Sequence, residues 1–299
     1  MTSETDAVEH ERIVDFNPLR NAADYLDSVF EHLTDKPSQP GARALKYAIL
    51  HLQAATEILL KARLIHEHWS LVYRDPKKAN LSQFRAGAFD SCSVEAAMDR
   101  LAKIAEVPIE QKDREAIASL AKTRNALTHY GHTASAFALE SQAAKVLSFL
   151  LAFVTKQLVP RLGDDDSWMA RKVDDYWLQL ADLQAVVEER MKGLSGQLQQ
   201  HAEYTVWCPD CRQPAFIPGE TPTCLFCLQE FDDPENATLD WGYGILGDPD
   251  YGPDWFVDNC HCGVENTLVF PVTTVGIGPG EDVALCFACR AVYREEKKR

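Results

Sequence analysis

Apolar residues recur every three or four positions along most of the first 200 residues, which is the period of an amphipathic helix. In the longest run, Leu45, Ile49, Leu52 and Leu59 fall on one face of a single helix. The pattern predicts helices over 18–33, 42–73, 93–105, 108–129, 135–158 and 167–200. No strand is predicted before residue 200, so this part of the chain is expected to form an all-α bundle.

Three residues mark predicted helix ends. Ser93 is a predicted N-cap, because its hydroxyl can accept a hydrogen bond from a backbone N–H in the first turn. Pro108 is predicted in the first turn of the next helix, where a missing N–H does no harm. Gly131 is predicted as the C-cap of that helix. The helix over 108–129 therefore ends in the polar sequence "RNALTH".

The pattern changes after residue 200, where Pro, Gly, Cys and aromatic residues become dense and the helical period disappears. The stretch "RQPAFIPGETPT" predicts a short hairpin, and "NTLVFPVTTV" predicts a pair of strands. The predicted fold class is α plus small β. A helical bundle is expected over 1–162 and a domain with short β-hairpins over 203–299. Between them, 163–202 is predicted to hold a linker helix that connects the domains or packs on the bundle.

Composition narrows the class of protein. The chain has 299 residues of which 46% are hydrophobic, enough for a folded core. It lacks a run of about 18 apolar residues, so no membrane span is expected. The first residues, "MTSETDAVEHER", are acidic and have no apolar segment typical of a signal peptide. A cytoplasmic location is therefore predicted.

Charge is unevenly distributed. The net charge of the chain is -15, and residues 201–299 contribute 17 acidic against 6 basic side chains. Binding to a phosphate backbone depends on clustered Lys and Arg. The C-terminal part is therefore a poor general nucleic-acid clamp, and any nucleic acid is expected to be held by the first part or by a partner.

Eight of the nine cysteines lie in pairs after residue 200, and only Cys92 precedes them. Paired cysteines in a chain predicted to be cytoplasmic indicate metal ligands rather than disulfides. Two CxxC pairs separated by twelve residues are typical of a zinc ribbon. A CxC pair and a third CxxC pair predict a second four-cysteine zinc site. The predicted zinc ligands are Cys208, Cys211, Cys224, Cys227, Cys260, Cys262, Cys286 and Cys289.

Sequence alone leaves the division of these cysteines open. Cys208 and Cys211 can pair with the next two cysteines or, in an interleaved arrangement, with a later pair. His261 can replace a thiolate, although its side chain is expected to point away if both neighbours bind. Four thiolates leave no position for water, so both sites are predicted to be structural. The acidic aromatic segment 240–258 between them is either an exposed recognition surface or a loop whose aromatic residues cover the ribbons.

The helix over 108–129 carries the candidate catalytic residues Arg124, Asn125 and His129. Histidine can exchange protons near neutral pH, and arginine can stabilise charge on a phosphate oxygen. Arg124 and His129 are roughly 140° apart on an ideal helix. They converge only if the helix loosens at its end or if a second copy supplies the other residue. A helix C-terminus also favours Arg and His through its dipole alone.

The segment 15–160 resembles the HEPN superfamily of helical bundles. The resemblance is carried by Arg124, the polar Asn125 directly after it, and His129 after four intervening residues, together with the long helix "ALKYAILHLQAATEILLKARLIHEHW". Active members are metal-independent endoribonucleases that leave a 2′,3′-cyclic phosphate. The resemblance implies that His129 acts as general acid or base, Arg124 stabilises the transition state and Asn125 positions them.

The resemblance also implies a homodimer with its site at the dimer interface, an RNA substrate, and a toxin or defence role with a possible regulatory protein partner. His132, three residues after His129, is predicted to be a surface residue. Tyr47 and Glu57 on the long helix are within possible reach of the motif. The alternative function is a catalytically inactive HEPN-like dimer that binds proteins or nucleotides and acts as an adaptor through its acidic zinc ribbons.

Overall fold

The computed structural model describes residues 17–34, 41–130, 133–248, 250, 255–278 and 281–294. Helices make up the part before residue 202, and small antiparallel sheets follow. The helices are α1 (Pro18–Thr34), α2 (Ala42–Glu67), α3 (Leu81–Arg85), α4 (Val94–Lys103), α5 (Gln111–His129), α6 (Ala136–Phe153), α7 (Trp168–Ala181), α8 (Gln184–His201) and α9 (Pro234–Trp241). The class of α plus small β is therefore confirmed.

Helix α2 is the central element of the bundle and packs against α1, α4, α5 and α6. Its predicted apolar stripe is buried, and Leu52 and Leu59 are 0% exposed. The helix ends at Glu67, earlier than predicted, because His68 is extended and the chain continues as a 3₁₀ turn over Trp69–Val72. The predicted N-cap at Ser93 is confirmed, since its hydroxyl accepts a hydrogen bond from the N–H of Ala96 at 3.2 Å.

The start of α5 differs from the prediction. The helix begins at Gln111 with Glu110 as its N-cap, so Pro108 lies before the helix and not in its first turn. The physical reason is burial: Val107 and Ile109 on either side of the proline are each 8% exposed and anchor the chain before the helix starts. The end of the helix at His129 agrees with the prediction, and Gly131 lies outside the described residues.

Helix α6 continues through a π-helical turn over Val154–Leu158. Among the described residues, the segment Ala136–Arg161 is long and apolar enough to cross a bilayer by length and composition. However, half of its apolar window is buried within the protein, including Val146, Leu147 and Leu150. Core helices of globular proteins meet the same criterion, so this is weak evidence for a membrane span.

The segment after the bundle forms two helices, and the prediction of one helix over 167–200 is wrong. Helices α7 and α8 meet at Asp182 and Leu183, where the extended conformation of Leu183 interrupts the helix. Both helices pack on the bundle. The indole N–H of Trp177 on α7 donates to the hydroxyl of Thr155 at 3.1 Å.

A hairpin of β1 (Phe216–Ile217) and β2 (Thr223–Cys224) confirms the first strand prediction. A second antiparallel sheet has the order β3–β4–β5–β6, with β3 (Phe256–Asp258), β4 (Leu268–Val272), β5 (Val283–Cys286) and β6 (Val292–Arg294). The stretch "NTLVFPVTTV" holds one strand, β4, rather than the predicted pair. The chain makes no hairpin turn within this stretch, and β4 pairs instead with β3 and β5.

The helical and β parts share one hydrophobic core. The rings of Trp177 and Phe226 lie 6.2 Å apart across the junction. Beyond α8, the N–H of Gly276 donates to the carbonyl of Ala202 at 2.7 Å, and that of Val275 to Thr205 at 2.8 Å. A Cβ at position 276 would collide with the backbone of Ala202, so this close approach requires glycine.

Tyr176 on α7 is expected to stabilise the attachment of that helix to α1. Its buried hydroxyl lies 2.9 Å from both the carbonyl of Ala23 and the carboxylate of Asp27, and burial with the nearby carboxylate raises the pKa of Tyr176 far above its ordinary value. Tyr176→Phe should therefore lower the free energy of unfolding by about 1 kcal/mol. Urea denaturation measures the change, with Tyr130→Phe on an exposed tyrosine as the control. Equal losses in the two variants would contradict the assignment.

Candidate functional site

The predicted catalytic residues lie on the last two turns of α5. Arg124 is half-buried, whereas Asn125 and His129 are exposed. The helix stays regular to its end, since the N–H of Tyr130 donates to the carbonyl of Ala126 at 3.0 Å. Loosening of the helix is therefore not observed, and Arg124 and His129 of one chain point in directions roughly 140° apart.

These three side chains are not used to hold the described structure together. Within the described ranges, none of them makes a hydrogen bond or an ion pair with another residue. The polar contact of this turn is made instead by Thr128, whose hydroxyl donates to the carbonyl of Arg124 at 2.7 Å. The arginine, amide and imidazole groups are thus available to a ligand or a partner.

Two large aromatic residues that follow the motif in the sequence are open to solvent. Tyr130, directly after His129, is 88% exposed, and Phe137 in the first turn of α6 is 69% exposed. The ring of Tyr130 lies 6.0 Å from that of His129. The two rings lie at the end of α5 and the start of α6, which makes these helix ends a candidate interaction surface.

Other residues that sequence placed near the motif have separate contacts. Tyr47 stacks on His32 with ring centroids 5.5 Å apart, and Glu57 forms an ion pair with Lys61. Neither residue contacts the motif through these groups. His132 lies outside the described residues.

The first cysteine cluster consists of Cys208, Cys211, Cys224 and Cys227, all buried. Two of its sulfur–sulfur distances are 3.8 Å, between Cys208 and Cys227, and 3.7 Å, between Cys211 and Cys224. A tetrahedral ion with metal–sulfur bonds of about 2.3 Å places its ligands about 3.8 Å apart. The four thiols are therefore arranged to hold one metal ion.

The second cluster consists of Cys260, Cys262, Cys286 and Cys289. Its sulfur–sulfur distances of 3.7 and 3.8 Å fit the same tetrahedron. Consecutive pairs thus share an ion site, and the interleaved arrangement is not observed. Cys262 and Cys289 are exposed, in contrast to the first cluster. His261 is also exposed, and its ring faces Tyr293 at 6.3 Å rather than joining the cluster.

A common backbone conformation shapes all four cysteine pairs. The residue directly after the second cysteine of each pair has a positive φ: 58° at Arg212, 65° at Leu228, 88° at Gly263 and 66° at Arg290. We call the turn that contains each cysteine pair a knuckle. The left-handed residue ends each knuckle and lets the two sulfurs face the same point. Only Gly263 gives a sequence signal for it, because the other three are residue types that rarely adopt this conformation.

Arg190 on α8 joins the helices to the first cluster, and sequence reasoning did not identify it. Its guanidinium donates to the carbonyl of Phe226 at 2.6 Å, to that of Leu225 at 3.1 Å and to the hydroxyl of Ser148 at 2.9 Å. It also lies 4.5 Å from the ring centre of Trp177. Leu225 and Phe226 are the two residues between Cys224 and Cys227, so the arginine grips this knuckle directly.

Burial lowers the pKa of Arg190 to about 10, and the cysteine sulfurs of the first cluster act in the opposite direction. The guanidinium therefore stays positive at neutral pH. Four thiolates around a divalent ion carry a net negative charge, which this cation offsets. The hydrophobic pattern of the sequence gives no sign of this role. The partners of Arg190 are backbone carbonyls about 35 residues further along the chain, and such contacts leave no local pattern.

The acidic aromatic segment divides between its two predicted roles. Trp241 is 2% exposed, and its indole N–H donates to the carbonyl of Trp207 at 2.8 Å. Trp255 packs so closely on Gly242 that a Cβ there would collide with its ring. Tyr243 and Phe256, in contrast, are 56% and 55% exposed. Among the aromatic residues of this segment that the structure describes, two thus cover the β part and two face solvent.

Comparison with protein-family models, with curated proteins and with solved structures found no match to this chain. The resemblance to HEPN proteins therefore rests on the motif of α5 and its helical surroundings.

Arg190→Lys tests the junction between the helices and the first cluster. An ammonium group cannot make the three divergent hydrogen bonds of the guanidinium, so the free energy of unfolding should fall by roughly 1–3 kcal/mol. Chemical denaturation of the metal-loaded protein measures this loss. Arg171→Lys, on an exposed position of α7, is the matched control and should change little. A denaturation midpoint equal to that of the wild type would show that Arg190 does not stabilise the junction.

Proposed function

We propose that this protein is a homodimeric, metal-independent endoribonuclease of the HEPN type. The observation that carries the proposal is the end of α5, where Arg124, Asn125 and His129 have no structural partners among the described residues. No nitrogen of the Arg124 guanidinium is both buried and unpartnered among the described residues, so the group reaches solvent, where a phosphate can contact it. A toxin or defence role in the cytoplasm is part of the proposal and follows from the resemblance.

The geometry supports a site shared between two copies. A regular helix keeps Arg124 and His129 of one chain apart, so a substrate phosphate meets both groups only if they come from different chains. Tyr130 and Phe137 supply exposed apolar surface at the same helix ends. A two-fold axis beside them would bury these rings and bring two motifs together, because such an interface uses the same patch twice.

The chemistry needs only groups that the motif supplies. The ribose 2′-hydroxyl attacks the adjacent phosphorus, the bond to the 5′-oxygen breaks, and a 2′,3′-cyclic phosphate and a 5′-hydroxyl result. His129 accepts the 2′-proton or donates a proton to the leaving oxygen. Arg124 stabilises the negative charge on the non-bridging oxygens, and Asn125 orients the neighbouring groups.

We further propose that both cysteine clusters bind zinc. Four thiolates in a closed tetrahedron are the ligand set of structural zinc sites, and the sulfur spacing fits this geometry. These ions would hold knuckles that have little core of their own. They take no part in RNA cleavage.

His129→Ala should lower the rate of RNA cleavage by about 10²-fold or more, because a general acid or base is lost. Cleavage of total RNA in EDTA, followed by identification of the 2′,3′-cyclic phosphate ends, measures this effect. Lys122→Ala, on an exposed position of the same helix, is the control and should keep full activity. Absence of metal-independent cleavage in the wild-type protein, including with cognate partners, would favour the inactive adaptor instead.

Mixing two inactive variants tests whether each active site is built from two chains, independently of whether the protein cuts RNA. Arg124→Ala and His129→Ala chains, refolded together, should recover about a quarter of the activity, since half of the dimers are mixed and each has one intact site. A site contained in a single chain would recover nothing on mixing. That result, with an active wild-type protein, would disprove the shared site but not the nuclease.

Zinc content is expected to follow the exposure of the two clusters. The purified protein should contain two zinc ions per chain, and a chelator should remove the ion of the second cluster first because Cys262 and Cys289 are exposed. Elemental analysis during chelation measures the loss.

Cys262→Ser should leave one ion bound in an otherwise folded chain, whereas Cys208→Ser in the buried cluster should also destabilise the junction with α8. Equal rates of loss from both clusters would contradict this order.

A further inference from the structure

One face of the four-stranded sheet is partly open to solvent at β3 and β4. Phe256 pairs with Phe270 and Asp258 with Leu268 across β3 and β4, so these four side chains point the same way. The two phenylalanine rings lie 5.5 Å apart, and Phe256 is 55% exposed. The alternate pair faces the core, where Val269 is 0% exposed. We call Phe256, Asp258, Leu268 and Phe270 the outer sheet face.

The surroundings of this face are acidic to an unusual degree. Between Gln213 and Cys289 the chain has thirteen Asp and Glu residues and not one Lys or Arg. Of these, Asp258 lies on the face itself, Glu265 lies shortly before β4 and Asp282 directly before β5, and all three are exposed. Two tetrathiolate metal sites in the β part of the chain would add further negative charge. The field around the outer sheet face therefore attracts cations.

Strand β3 also has one edge with which no described strand pairs. It is the first strand of the sheet and pairs only with β4 among the described residues. An edge strand offers backbone N–H and carbonyl groups to an added extended segment. Two neighbouring aromatic rings next to such an edge supply the apolar contacts that dominate binding energies at small interfaces.

We propose that the outer sheet face binds a polypeptide segment rich in Lys and Arg that alternates with apolar side chains. The apolar side chains would contact Phe256 and Phe270, and the cationic ones would reach Asp258 and the acidic rim. Charge selects this partner: RNA or DNA would bring phosphates against carboxylates, and a second copy would bring one acidic face against another. The inference does not depend on whether the helical part cuts RNA.

A fluorescein-labelled peptide of alternating Lys and Val, titrated with the full metal-loaded chain and followed by fluorescence anisotropy, tests the proposal. Binding is expected at about 50 mM salt and should weaken at least tenfold by about 300 mM salt, because screening shortens the reach of the acidic field. Phe256→Ser should weaken binding by about tenfold. Leu178→Ser, on an exposed apolar residue of α7, should leave it unchanged.

Charge and apolar contacts are separated by further variants and probes. Asp258→Lys should abolish binding, while its circular dichroism spectrum and its bound metal stay as in the wild type. This second variant keeps the proposal testable if Phe256→Ser fails to fold. A peptide of alternating Glu and Val should not bind.

Four results would overturn the proposal. One is no binding of the Lys-Val peptide at low salt, and another is binding that Phe256→Ser leaves unaltered. A third is competition for the face by an RNA oligonucleotide. The last is wild-type self-association that Phe256→Ser converts to monomer in sedimentation velocity, which would identify a second copy as the occupant.

Discussion

The attachment of the β part to the helices depends on the guanidinium of Arg190. This group reaches from α8 to the carbonyls of Leu225 and Phe226 and at the same time to Ser148 on α6. The first cysteine cluster is thereby joined to the bundle by hydrogen bonds to the very residues that separate two of its ligands. Because the donors belong to a cation and the cluster is anionic when it holds a divalent ion, each stabilises the other across the junction.

This constraint makes the two parts of the chain one structural unit. The ring of Trp177 packs on both Arg190 and Phe226, and the backbone after β4 returns to hydrogen-bond with Ala202 at the end of α8. Loss of a metal ion from the first cluster would therefore destabilise the packing of α8 and α6. The second cluster lies at the four-stranded sheet and is partly exposed, so loss of its ion should affect the helices less. The two clusters are alike in ligands but unequal in their mechanical coupling to the helices.

The end of α5 has the opposite character. Its arginine and histidine are not engaged by the described structure, and the aromatic rings beside them are exposed at a cost in apolar hydration. Such an open area is a candidate surface for a partner that completes it. A second copy completes it in the proposed nuclease, and a different partner would complete it in an adaptor.

The sequence by itself determined most elements of the helical bundle. Apolar residues at helical spacing form a single face that can be buried only if the segment is a helix, as in α1, α2 and α6. It also determined the metal ligands as candidates, because cysteine pairs at this spacing have few other uses. The break between α7 and α8, the extended segment around Pro108 and the single strand in "NTLVFPVTTV" depended on long-range packing that outweighs local propensity. Only the tertiary structure decided which cysteines share an ion and that Arg190 binds the turn between Cys224 and Cys227. These features arise between groups far apart in the chain, where no local pattern carries the information.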